Sequence, residues 1–315
     1  MSAYKIFTLS QKSNQEATQA EFWRIRRPPK AVRVQCRESA LRTLGLMPAR
    51  ALAVVGTRRP TQRSINEARR CIHALGGSNL VIVSGLARGI DAVAHESAIE
   101  AGLATVAVLA CGLDTTYPPE HGPLRERILA SGGLVISAYN NGATIHPGNF
   151  IERNRLIAGW SNATWVVEAP ERSGALNTAC WARSNNRRTF ATPCFPGDIH
   201  MAGNQKLIDK EHAEPVWGPG SLGVEWMELI SHEARTNHEA RITTPGKSAP
   251  ADKYGAFIDH IAEQTRQCGG TTAEELVDWA TALGWMPPEM FEALQKAVDL
   301  GIITEQGGLL LKKPA

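Results

Sequence analysis

The feature that most constrains this chain is a series of six short apolar runs. They are ALAVV (51–55), LVIVS (80–84), TVAVLA (105–110), LVISA (134–138), TWVVEA (164–169) and TFATP (189–193), and they lack the in/out alternation of a half-exposed strand. A strand with one wet face alternates apolar and polar residues, whereas a strand covered on both faces does not. Successive runs are separated by roughly 20 to 30 residues that include a helix-length amphipathic segment, the spacing of β-α-β crossovers. The pattern predicts an α/β domain with one doubly wound parallel sheet over residues 51–217.

The flanks are organised differently. Residues 1–50 carry ten Lys or Arg against three Asp or Glu, with Arg24, Arg26, Arg27, Lys30, Arg33 and Arg37 gathered around Pro28 and Pro29. Both a solvated basic edge and a track for a polyanion fit this lead-in. Residues 218–253, rich in Gly, Pro and Thr, read as a linker with one short helix around Val224 to Ala234. Over 254–315 the start signals predict a helix from about Tyr254, a second opened by Thr271 or Thr272, and a third at Pro287 or Pro288. Two β-like pieces, GIIT and GLLLKK, follow, so the tail resembles a small winged-helix-like α+β domain. Its nine acidic residues against four cations would repel phosphates, so this module is expected to touch protein, with Trp279, Leu283, Met290 and Phe291 in its core and Trp285 to Pro288 as a contact.

Charge and cysteines narrow the class further. A formal net charge of +3 means that a polyanion would have to be held by a local patch rather than by the field of the whole chain. No apolar run approaches the ~20 residues of a membrane span, so no membrane association is expected. The six cysteines include no C-x-x-C pair, and the first fifteen residues have no continuous apolar stretch of the secretory kind. A cytoplasmic location and no metal site are the expectations.

Four predicted strands run into loops of small residues: Gly56-Thr57-Arg58-Arg59-Pro60, Ser84-Gly85-Leu86-Ala87-Arg88-Gly89, Cys111-Gly112-Leu113-Asp114 and Glu171-Arg172-Ser173-Gly174. In an open α/β sheet such loops border one crevice, where helix N-termini and arginines favour an anionic group. A phosphate-bearing ligand is expected. No G-x-x-x-x-G-K-[ST] and no G-x-G-x-x-G after the first strand are present, which argues against a P-loop NTPase and a dinucleotide site. Asp91 and His95 could form an acid/base pair or an i, i+4 hydrogen bond; Glu168 could be a general base or an acceptor for backbone N–H groups. Neither pattern assigns catalysis, and no cofactor is called for.

VVGTRRPT, VSGLARGIDAVAH, AVLACGLDTTYPPEH, PGNFIERNRLIAG and VVEAPERSGALNTA occur in this order, and the later GNQKLI extends the series. Over roughly residues 28–217 the chain resembles the bacterial DNA-processing protein DprA (Smf) family. The resemblance implies an extended Rossmann-like domain that binds single-stranded DNA, a homodimer, and assistance to a RecA-type recombinase in natural transformation. It carries the family's G-S-R onto Gly56, Thr57 and Arg58, and its S-G-x-A-x-G-I-D onto Ser84, Gly85, Ala87, Gly89, Ile90 and Asp91. Its P-G-N-F-x-x-R-N-R falls on Pro147, Gly148, Asn149, Phe150, Arg153, Asn154 and Arg155.

The residues expected to contact DNA phosphates or bases are therefore Gly56, Thr57, Arg58, Ser84, Gly85, Arg88, Gly89, Asn149, Phe150, Arg153, Asn154, Arg155, Ser173 and Gly174. Phe150 fits either a face for base stacking or a core aromatic. The chain departs from the pattern at His146, where many relatives have Arg, and at Ala138 and Asn140-Asn141, so charge at the mouth of the site differs. Two other readings stay open: a nucleotide phosphoribohydrolase-like enzyme, whose P-G-G-x-G-T-x-x-E signature is replaced here by Glu171 to Asn177, and a DNA or nucleotide sensor in defence against foreign DNA.

Overall fold

The computed structural model describes residues 4–10, 23–194 and 198–223, and the backbone of 271–272, 303–306 and 309–312. Contacts divide the chain into two compact units, Met1–Ile145 with Glu152–Arg235, and His146–Ile151 with Thr236–Ala315.

The strands of the first unit are β1 (Lys5–Ser10), β2 (Ala31–Cys36), β3 (Ala51–Val55), β4 (Val81–Ser84), β5 (Ala104–Leu109), β6 (Leu134–Ser137), β7 (Ala163–Val166), β8 (Arg188–Ala191) and β9 (Glu214–Pro215). The helices that concern the site are α1 (Gln62–Ala74), α2 (Ile90–Glu100), α3 (Gly122–Ala130), α4 (Pro147–Gly159), α5 (Gly174–Ser184) and α6 (Ala202–Asp209). All strands join one sheet in the order β1-β2-β6-β5-β4-β3-β7-β8-β9. The six apolar runs are β3 to β8, and every pairing among them is parallel.

Both faces are covered, which is why the runs do not alternate. Leu52, Val54, Ile82, Trp165 and Phe190 pack against Ala68, Cys71 and Ile72 of α1 and Ile90, Val93 and Ala94 of α2. On the other face Ala53, Val83, Val108 and Ile136 share a core with Leu156 and Ile157 of α4 and Ala175 and Ala179 of α5. Each fully buried Val or Leu contributes about 1.5 to 3 kcal/mol relative to exposure. Helix α1 shows the local logic: Ser64, Ala68, Cys71 and Ile72 are its buried residues, spaced i, i+4, i+7 and i+8, while Thr61 caps its start.

The basic lead-in departs from expectation, because it contains two strands of the same sheet. β2 pairs antiparallel with β6, and β1 with β2. Along β2, Val32, Val34 and Cys36 are buried whereas Ala31, Arg33 and Gln35 are half-buried, the alternation of a strand covered more fully on one face. Residues 218–223, at the expected start of the linker, belong to the first unit, and Leu222 is buried in the α1 and α2 core.

In the second unit β10 (Thr271–Thr272), β11 (Ile303–Gln306) and β12 (Leu309–Lys312) form an antiparallel sheet in the order β10-β12-β11. The described ends of the GIIT and GLLLKK pieces thus pair, with Ile303 opposite Lys312 and Thr304 opposite Leu311. The helices expected from Tyr254, Thr271 or Thr272 and Pro287 or Pro288, the apolar residues assigned to their core, and the rest of the linker lie outside the described residues.

Candidate functional site

Crossovers run from β3 towards β6 on one side and through β7 and β8 on the other, so the topological switch point lies between β3 and β7. Ligands of open α/β sheets bind at this point, beyond the carboxyl ends of the strands. The two strand ends stay paired into their loops: Val167 donates its N–H to the Val55 carbonyl at 3.0 Å, and Thr57 donates to the Glu168 carbonyl at 2.7 Å.

Glycines at the rim let loops pack on one another. A Cβ at Gly56 would lie 2.6 Å from Ile90 Cγ1 and 2.9 Å from the Glu168 carbonyl oxygen. Gly89 has φ +75°, and a Cβ there would lie 2.3 Å from the Thr57 carbonyl oxygen. The β3 loop therefore rests directly on the start of α2, and the Ile90 N–H reaches the Thr57 carbonyl at 3.2 Å. Above this support Arg58 and Arg59 are exposed, and the Thr57 hydroxyl accepts from the Arg59 N–H at 3.2 Å.

The carboxylates and the imidazole are engaged in the fold. Glu168, 1% exposed, accepts from the Thr61 hydroxyl at 2.7 Å and the Thr61 N–H at 2.9 Å, which makes it a holder of the α1 cap. Asp91 accepts from the N–H groups of Gly85 at 3.1 Å and Ala87 at 3.3 Å. His95 Nδ1 lies 2.7 Å from the Thr105 hydroxyl, which donates to the Ile82 carbonyl, so Nδ1 carries the proton. Asp91 and His95 thus form neither the acid/base pair nor the i, i+4 bond that their spacing allowed. Burial, reinforced by the charges of His121 and Arg153, holds the imidazole down at about 3.

Arg153 is 4% exposed, and its Nη1 donates to the carbonyls of Gly85 and, at 3.1 Å, Val108. Burial lowers its guanidinium and raises the neighbouring Asp91 carboxyl, but each favours the charge of the other, and arginine does not deprotonate in proteins. Arg155, 5% exposed, donates from Nη1 to the carbonyls of Arg26 and Arg27 and pairs with Glu152 at 2.8 Å. Both arginines expected to offer charge to a nucleic acid are turned inward as staples of the fold, because each is surrounded by backbone acceptors that a surface side chain would lack.

The remaining sequence-derived positions divide by exposure. Ser84 is buried and donates to the Val54 carbonyl at 2.7 Å, and Gly85 leaves room for the Arg153 guanidinium. Arg88 is exposed and pairs with Glu120, Nε to Oε1 2.6 Å. Ser173 caps α5 by accepting from the Ala175 N–H at 3.3 Å, next to the exposed Gly174. Asn154 Nδ2 donates to the Gly174 carbonyl at 3.3 Å and so ties α4 to that cap. Asn149 is buried and Phe150 half-buried.

The structure brings Gly56, Thr57, Arg58 and Gly89 together, and places Asn154 against Gly174. Arg59 and Arg172 are exposed on the same loops, although the motif comparison did not single them out. Sequence reading also missed the part played by Asn204. Its Oδ1 accepts from the Ala169 N–H at 2.7 Å, and its Nδ2 donates to the carbonyls of Val166, Val167 and Thr192 at 3.0, 3.2 and 3.0 Å. GNQKLI therefore clamps the end of β7. Among the described residues no group of His, Cys, Asp and Glu could hold a metal ion, and no helix is long and apolar enough to cross a membrane.

Comparison with known proteins places this geometry in a family. The family model of DNA recombination-mediator protein A matches residues 32–225. Protein Smf of Synechocystis is 44% identical over 289 residues, which cover 91% of this chain and 67% of that protein. The match to the putative DNA processing protein DprA of Mycobacterium tuberculosis spans 60% of the relative's length. The X-ray structure of DNA processing protein A from Streptococcus pneumoniae superposes with a TM-score of 0.62 at 32% identity, over 70% of this chain and 74% of that one. The Helicobacter pylori protein of that name, described for its single-stranded DNA binding mode, superposes with a TM-score of 0.59 at 26% identity, over 73% and 96% of the two chains. The chain accordingly belongs to the DNA recombination-mediator protein A family, the DprA or Smf proteins.

Proposed function

We propose that this chain binds single-stranded DNA at the switch-point rim and hands it to a recombinase of the RecA type, as a cytoplasmic homodimer that performs no covalent chemistry. The observation that carries the reading is the exposed Arg58 loop, propped on Gly89 and Ile90, beside the exposed start of α5 at Gly174. Arginine and helix N-termini suit a phosphodiester backbone without reading its sequence. Arg59, Arg88, Arg172 and Ser173 extend the rim. Arg153, Asn154 and Arg155 act in this reading by positioning the loops.

The engagement of Asp91, Glu168 and His95 in internal hydrogen bonds supports a binder over the phosphoribohydrolase alternative, which would need a carboxylate free to act on a ribose. A gel-shift comparison of single-stranded and duplex oligonucleotides, with Arg58→Ala alongside, tests the proposal. Preferential shift of the single strand, weakened in the variant, is the expected result. No shift at low salt, with release of free base from a nucleoside monophosphate, would overturn it.

A further inference from the structure

Residues 23–30 of the lead-in form a bent strap, with Arg27 at φ +54°. Trp23 and Ile25 are buried, and Ile25 seats on Gly159, where a Cβ would lie 2.9 Å from Ile25 Cγ2. Between and beyond them Arg24 and Arg26 are exposed, as is Lys30. The backbone is pinned at several points: the Arg26 N–H donates to Asn185 Oδ1 at 2.8 Å, and Arg155 holds the Arg26 and Arg27 carbonyls.

Topology fixes where the ends of the strap lie. Gly159 and Asn185 close α4 and α5 and lead into β7 and β8, so residues 25 and 26 sit at the amino edge of the parallel strands. Lys30 enters β2, whose Arg33 pairs with Ser137 at the carboxyl end of β6. The strap therefore runs from the edge opposite the rim to the rim's own edge. At the far end Arg183, in the last turn of α5, and Lys210, the C-cap of α6, add charge. Both act on His212, which is held below its ordinary value by burial first and then by these two cations. Cations at helix ends also offset the helix dipole, so the strap's own arginines carry the argument. Among the described residues no carboxylate is ion-paired with Arg24, Arg26 or Lys30.

We infer that the exposed side of the strap, Arg24, Arg26 and Lys30, continues the path of a single DNA strand away from the rim towards the opposite edge of the sheet. The inference rests on the proposed binding of single strands at the rim. Rigid backbone pinning matters here, since cations held at fixed spacing meet a polyanion with less ordering cost than a loose basic tail. The contacts are to phosphates, so they lengthen the occupied strand without adding sequence preference.

The test compares oligonucleotides of roughly 6 and roughly 30 nucleotides on the full chain and on Arg24→Glu/Arg26→Glu. The variant should bind the long strand at least about tenfold more weakly, with a salt slope smaller by ~1.4 for two lost phosphate contacts, and should bind the short strand as before. Arg24→Gln/Arg26→Gln should shift the long strand in the same direction by less, and an unchanged melting temperature should accompany both. Equal loss for both lengths, or no loss for either, would overturn the inference. Tighter DNA binding by the variant would overturn it too. If the unmodified chain binds neither length, the rim reading itself fails.

Discussion

Glu168 and Thr61, 107 residues apart, meet twice: the carboxylate receives both the hydroxyl and the backbone N–H of the threonine. One buried side chain thereby joins the end of β7 to the cap of α1, the helix into which the Arg58 loop leads from β3. Glu168→Ala should cost about 1 to 2 kcal/mol in denaturant unfolding, since it strands two half-buried donors of Thr61. It should also weaken single-strand binding. A variant that lost binding with its unfolding midpoint unchanged would show that Glu168 touches the ligand itself.

Arg58 and Arg153 should separate cleanly. Arg58→Ala is expected to weaken all single strands about tenfold and lower the salt slope by ~0.7, with stability unchanged. Arg153→Ala leaves the Asp91 carboxylate buried beside Gly85 without its counter-ion and should destabilise by about 3 to 5 kcal/mol. Calorimetry alongside fluorescence-anisotropy titrations would check both.

His95 gives a pH signature. Its folded value of about 3 lies below the ordinary one near 6.5, so the unfolded chain takes up the extra proton between these limits. The neutral imidazole's contribution is full above pH ~6.5 and is lost as pH falls towards ~3. Its Nε2 has no hydrogen-bond partner among the described residues, so nothing compensates a second ring proton. Unfolding free energy measured from pH 7 to 4 should fall less steeply in His95→Gln than in the parent chain.

Arg155 anchors the strap from α4. Arg155→Met should release the Arg26 and Arg27 carbonyls and speed tryptic cleavage after Arg24 and Arg26, read by timed digestion and mass spectrometry. Unaltered cleavage would mean that the seat of Trp23 and Ile25 holds the strap alone.

The central strands were legible because burial on both faces writes itself as uninterrupted apolar residues. β2 was less so: its alternation in AVRVQC is present, but Arg33 and the neighbouring cations drew attention to charge instead. The motif glycines pointed to the rim, and Gly89 does lie under it. Arg58 and Arg153 look alike in sequence, yet one is exposed and the other enclosed. What decides this is the set of carbonyls that distant strands bring to each, which local sequence does not show. Asn204 was invisible for the same reason.

Asn204 also has a temporal consequence. Beyond its pairing with β3, the end of β7 gains its last partners only when a residue 35 positions later folds back onto Ala169. During synthesis the six parallel strands can be ordered while this corner is still open. Because nonlocal closure of this kind is slow relative to helix formation, a nascent chain halted before Asn204 would carry most of the sheet with an unfinished rim.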